Sequence, residues 1–97
     1  MIRHVVFFKF KAEASQDERA RAMEALRSLP GKIDFIRHFE VGLDIVRSPR
    51  AWDGALVSTF DDFDALGRYA THTDHLPVVE IMKHVCEAIG SVDFEID

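Results

Sequence analysis

Within seven residues, Tyr69-Ala70-Thr71-His72-Thr73-Asp74-His75, the chain gathers a phenol, two imidazoles and a carboxylate. No other run is as dense in side chains that hold or move protons. A neutral imidazole can remove a proton next to a carbonyl, and a phenol can donate a hydrogen bond to the oxyanion that forms. His75 stands near the predicted start of a helix, where the positive end of the dipole favours the neutral, basic ring. His4 is a third candidate: it falls on the buried face of a strand, where an imidazole must find a hydrogen-bond partner. Each residue also has a structural reading. A helix end that leads into a helix start needs caps, an inward tyrosine is often a core residue, and His4 could be pinned to the His72–His75 corner. His72 and His75 could together reach a metal ion, but no third ligand stands nearby, so no metal is expected.

These residues need elements to position them. Residues 2–11 are rich in β-branched and aromatic types and alternate as a strand. One face carries Ile2, His4, Val6, Phe8 and Phe10; the other carries Arg3, Val5, Phe7, Lys9 and Lys11. Ser15 and Glu18 fit a capping box that opens a helix with Ala20, Ala22, Met23, Leu26 and Leu29 inward. Leu29-Pro30-Gly31 is expected to stop it, with Gly31 taking a left-handed exit. Residues 35–46 alternate as a second strand, 47–54 form a polar connection with some freedom, and 55–60 form a third strand. Arg47 and Arg50 on that connection are expected to be solvated.

Asp61-Asp62 begins an acidic helix start, with Asp64 close behind, and Phe63, Leu66, Tyr69 and Ala70 make the packing stripe. Thr73 or Asp74 is expected to cap the next helix, with Pro77 in its first turn. Val78, Met82, Val85 and Ile89 are its stripe, Gly90 its end, and Val92, Phe94 and Ile96 the apolar side of a last strand. The order predicts a single α+β domain over residues 1–97, a ferredoxin-like split βαβ fold with helices on one face of a four-stranded antiparallel sheet.

Composition narrows the function classes. The chain has 97 residues, 47% apolar and 30% charged, ordinary for one globular domain. A net charge of −5 argues against a nucleic-acid partner, and no apolar run is long enough to span a membrane. The opening residues carry no signal-peptide pattern, so a cytoplasmic location is expected. Cys86, the one cysteine, sits among apolar residues and reads as a buried free thiol. Helices cover one sheet face, yet Val5 and Phe7 are apolar on the other. That predicts a homodimer through the sheet face opposite the helices.

Several stretches carry a family resemblance: Ile2 to Lys11, Phe39-Glu40-Val41-Gly42, Ala55 to Phe60, Tyr69, His72-Thr73-Asp74-His75 and Val92-Asp93-Phe94. Over essentially its whole length the chain resembles the stress-responsive α/β-barrel (Dabb) domain proteins, a branch of the dimeric α+β barrel superfamily. Thr73 stands where that family usually has proline. The resemblance implies a small dimer. It extends to a plant branch of polyketide cyclases that perform aldol chemistry without a cofactor. In that branch the acting tyrosine and histidine match Tyr69 and His75, and a pocket histidine matches His4. Another pocket histidine falls on Gly54 and is absent. The pocket lining matches Val6, Phe8, Met23 and Leu76, and His72 belongs to the corner.

The function implied is cofactor-free, cyclase-like proton transfer on a small apolar or aromatic ligand. Two alternatives stand beside it: a cofactor-free monooxygenase of the same superfamily, and a non-catalytic stress protein that binds a small molecule.

Overall fold

The opening strand is the axis of the sheet. In the computed structural model, which describes residues 1–97, β1 (Ile2–Phe10) lies between β3 (Gly54–Phe60) and β4 (Cys86–Glu95). β2 (His38–Leu43) lies outside β3, giving the order β2-β3-β1-β4 with every pairing antiparallel. The helices α1 (Gln16–Arg27), α2 (Leu29–Lys32), α3 (Phe63–Ala70) and α4 (Leu76–Val85) lie on one face. This is the ferredoxin-like split βαβ arrangement. No helix is long and apolar enough to cross a membrane.

The core sits between that face and the helices. Phe8, Leu56 and Phe60 from the sheet meet Met23 and Leu26 of α1, Tyr69 of α3 and Val78, Met82 and Val85 of α4. Local rules set the start of α1: Ser15 Oγ accepts from the Glu18 N–H at 3.1 Å, and Glu18 Oε1 accepts from the Ser15 N–H at 2.9 Å. That reciprocal box satisfies two amide donors at the helix start and is worth about 1 kcal/mol. α3 starts on Asp62, whose carboxylate accepts from the Ala65 N–H at 2.8 Å. Its acidic neighbours have other partners: Asp61 forms a forked pair with Arg37 at 2.9 and 3.0 Å, and Asp64 meets Arg68 at 3.2 Å.

Several boundaries differ from the sequence expectation. After Arg27 the chain makes one more turn, α2, with Pro30 in its first positions, where the missing N–H is harmless. Gly31 does not take a left-handed conformation. The second strand occupies only His38–Leu43 of the span 35–46. Phe63 and Ala70 of α3 are exposed, and Ala65 is buried beside Tyr69 instead.

The larger difference is at the C-terminus. α4 stops at Val85, and Cys86–Gly90 belongs to β4, because the long β1 takes a partner along its whole length, Phe8 opposite Ile89 and Phe7 opposite Gly90. Gly90 is a strand glycine crossed by the Phe7 ring; a Cβ there would lie 2.6 Å from Phe7 Cε2. Register also sets the sides of β4. Val92 and Phe94 pair with Val5 and Arg3 on the open face, while Asp93 and Ser91 pair with His4 and Val6 beneath the helices.

The connection between β2 and β3 is tied down. Arg47, at φ 55°, donates through its guanidinium to Asp53 at 2.8 Å and to Asp44 and the Trp52 carbonyl at 3.3 Å. Asp53 in turn accepts from the Phe10 N–H at 2.8 Å, and its own N–H donates to the Phe8 carbonyl at 2.9 Å. Burial works to raise the Asp53 pKa, but the Phe10 amide and Arg47 outweigh it and hold the carboxyl below its usual value. Arg47 thus ties the loop together while its side chain stays more than half exposed, as the sequence predicts.

Candidate functional site

A cavity of about 330 Å³ lies between the sheet and α4, and side chains from both ends of the sequence converge on it. β1 contributes His4, Val6 and Phe8; β3 contributes Leu56; α1 contributes Leu26; α3 contributes Tyr69. His75, Val78, Val79, Met82 and Lys83 close it from the α4 side, and Ile89, Gly90 and Ser91 of β4 form its edge. Its volume is at the small end of the range for ligand pockets, and its lining is mostly apolar, with a few polar groups converging.

The corner places Tyr69 and His75 in a tilted ring contact. Their ring centroids are 4.1 Å apart at 32°. Tyr69 ends α3 facing inward and is 1% exposed, packed on Phe60 at 4.8 Å. Its hydroxyl is buried without a hydrogen-bond partner in the protein. Burial pushes the phenol up to about 12, so it remains a protonated donor across the physiological range.

His75 occupies the residue before α4 but makes no side-chain cap to the helix. Its Nδ1–H donates to the Ala70 carbonyl at 3.2 Å, a contact that a carbonyl can only accept. That bond fixes the tautomer and leaves Nε2 with a free lone pair. Burial is the main cause of a pKa below the usual imidazole value. The neighbouring His4 and His72 push the same way, while the Ala70 carbonyl opposes. The ring is therefore neutral at pH 7 and able to accept a proton.

His4 completes the arrangement from the sheet. Its ring lies 6.1 Å from Tyr69 and 6.4 Å from Phe60, both edge-on. It is not pinned to the corner; its Nδ1 is hydrogen-bonded to Asp93 Oδ1, directly across the β1–β4 pairing. The carboxylate holds the proton on Nδ1 and leaves Nε2 as the free nitrogen. Asp93 is a site residue that the sequence reading missed. The signal was there: Asp93 and Ser91 alternate with Val92 and Phe94, and only the strand register tells which pair faces the helices.

His4, Tyr69, His75, Val6 and Phe8 are thus brought together, while His72, Met23 and Leu76 lie outside the lining. His72 Nδ1 accepts from the Asp74 N–H at 3.0 Å, and its ring lies 6.0 Å from Phe35. It braces the turn. Met23 is buried among core residues, and Leu76 is half exposed. In their places stand Leu26, a turn after Met23, and Val78 and Val79, within a turn of Leu76, with Met82 further along α4. Gly54 lies under the Phe8 ring, so a Cβ there would come within 2.6 Å of Phe8 Cζ and 2.9 Å of the Gly42 carbonyl. The position has no room for a histidine while Phe8 keeps its place.

Comparison with known proteins places this arrangement in a group. The sequence profile described as the stress responsive A/B barrel domain matches residues 2–96. An uncharacterized protein of Streptomyces coelicolor is 44% identical over 85 residues, 86% of this chain and 88% of its own length. A crystal structure from Bacteroides fragilis, described as a dimeric protein of unknown function with a ferredoxin-like fold, superposes with a TM-score of 0.82 at 36% identity. It covers 98% of this chain and 95% of that one. The hydroxynitrile lyase of Passiflora edulis shares the fold, with a TM-score of 0.87 at 22% identity over 99% of this chain and 93% of its own. The chain belongs to the stress-responsive A/B barrel domain family.

Proposed function

We propose that this protein is a homodimer whose cavity binds a small apolar carbonyl compound and moves a proton on it without a cofactor. His75 Nε2 takes the proton from the carbon next to the carbonyl. The Tyr69 hydroxyl donates to the oxygen as negative charge develops there, and His4, held by Asp93, returns or relays the proton. The observation that carries this reading is the Tyr69 hydroxyl, buried without a partner on a residue of the cavity lining whose ring centroid stands 4.1 Å from that of a neutral imidazole. A buried donor with no acceptor costs about 1–3 kcal/mol, and a substrate oxygen would supply the missing acceptor.

The test is deuterium exchange. Simple ketones and β-dicarbonyl compounds incubated with the protein in D2O should gain deuterium next to the carbonyl faster than in buffer. His75→Ala should remove the acceleration. Exchange equal to buffer for every probe would reject the catalytic reading.

The Gly54 position favours a second reading, in which the cavity binds without turnover. The cyclase branch has a histidine there, and here the Phe8 ring fills the space. Saturable binding of an apolar probe together with no exchange would select it.

The dimer reading rests on the open sheet face. Val92 and Phe94, 52% and 44% exposed, adjoin Val5 and Phe7 there, an apolar area of the kind that usually marks an interface. Arg3 Nε and Thr59 Oγ1, opposite each other on that face, are also buried without partners. Light scattering at micromolar concentration should give twice the chain mass, and Val92→Glu with Phe94→Glu should give a monomer. A monomeric wild type would overturn the assembly.

A further inference from the structure

The cavity has an electrically distinct mouth. Of the charged or titratable groups on α4, Glu80 and His84 turn toward a groove shared with Glu18 and Arg21 of α1, while Lys83 borders the cavity. Across from Lys83 stand Ile89, Gly90 and Ser91 of β4, the edge strand of the sheet. Lys83 is only loosely paired, with its ammonium 3.8 Å from Glu80 Oε1, and its side chain is two-thirds exposed. In a chain with net charge −5, the cavity lining contains no carboxylate at all. His75 is held neutral, and His4 is already paired with Asp93. The lining therefore grades from aromatic and aliphatic residues inside to a single ammonium at the rim, loosely paired with Glu80.

We infer that the cavity's ligand is an amphipathic anion, an apolar acyl or aryl body that ends in a carboxylate, with that carboxylate held at the mouth by Lys83. The inference rests on the proposed reading of the cavity as a ligand site and adds the ligand's chemical class. The apolar body fills the space between Val6, Phe8, Leu26 and Met82, and the charged end stays in water beside Lys83 and the Ser91 hydroxyl. An apolar chain that ended in an ammonium would meet a like charge at the rim. A neutral chain would gain the burial but not the pairing. Because Lys83 is exposed, its contribution is that of a surface ion pair, and salt weakens it.

Calorimetric titration of the full chain with octanoate, octanol and octylammonium tests this. Wild type should bind octanoate about fivefold more tightly than octanol, the factor an exposed ion pair gives. Octylammonium should bind more weakly than octanol. Lys83→Gln should bring octanoate and octanol level, and Lys83→Glu should make octylammonium the tightest of the three. Raised salt should shrink the wild-type preference and leave octanol unchanged. If octanol binds as tightly as octanoate, or Lys83→Gln keeps the preference, the anion assignment is overturned while the cavity remains a ligand site. If none of the three binds, the ligand site falls with it. Thermal melts of both variants should match wild type, since only a loose pair with Glu80 is lost.

Discussion

The two ends of β1 solve the same problem in opposite ways. Near Phe10, the Arg47–Asp44–Asp53 cluster matches its charges closely: the guanidinium reaches two carboxylates and a carbonyl, and Asp53 accepts a strand amide. Near His4, the Tyr69 hydroxyl is buried with no partner, and His4 and His75 each keep an uncommitted Nε2. A completed network is architecture, since it offers nothing to a ligand and holds a loop in register. An incomplete one costs stability, and in the proposed reading a ligand supplies the missing partner. The other unpartnered buried atoms, on Arg3 and Thr59, fall on the open sheet face.

Substitutions can break this contrast from either side. The largest effect belongs to His75→Ala, which should slow carbonyl-probe exchange by about 10²–10⁴-fold. The fold should stay cooperative, because His75 makes no side-chain cap to α4. Asp53→Ala should do the reverse, costing about 1–3 kcal/mol in denaturant unfolding by leaving the Phe10 amide and Arg47 unmatched, with exchange unchanged. Gly54→Ala should cost about 1–3 kcal/mol as the new methyl meets the Phe8 ring and the Gly42 carbonyl.

The smallest effect is on pH dependence. His75 titrates below its usual value in the folded chain, so between that lowered value and about 6.5 the unfolded chain binds the extra proton. Its contribution to stability is therefore complete above about 6.5 and is lost as pH falls through that window. Exchange should persist on the acid side of pH 6.5, where an ordinary imidazole would already be protonated. His75→Ala should remove the acid-side slope.

Much of this was legible in the sequence. Period-two alternation gave the inward side of β1, and with it His4, Val6 and Phe8, because one buried face on a strand leaves little choice of register. Ser15 and Asp62 marked helix starts through local chemistry alone. The C-terminal half of the site was hidden for a tertiary reason. Val85, Cys86 and Ile89 suit a helix stripe equally well, and only the length of β1 turns Cys86–Gly90 into a strand. That change moved Ile89, Gly90 and Ser91 to the cavity edge and turned Asp93 toward His4. The family resemblance put the lining at Met23 and Leu76, where the structure has Leu26, Val78 and Val79, two or three residues further along. The Gly54 position, absent as a histidine in the letters, proved to be filled by Phe8.

The central claim is that the Tyr69 hydroxyl serves a ligand and not the fold. Tyr69→Phe tests it most directly, because the substitution removes one oxygen and keeps the buried ring on Phe60 and His75. Denaturant unfolding and carbonyl-probe exchange should be measured on the same preparation. The account predicts stability unchanged or raised by up to about 1 kcal/mol, because an unmatched buried hydroxyl has gone, with exchange slowed by about 10²–10³-fold. A loss of several kcal/mol with exchange intact would contradict it and make the corner a piece of architecture.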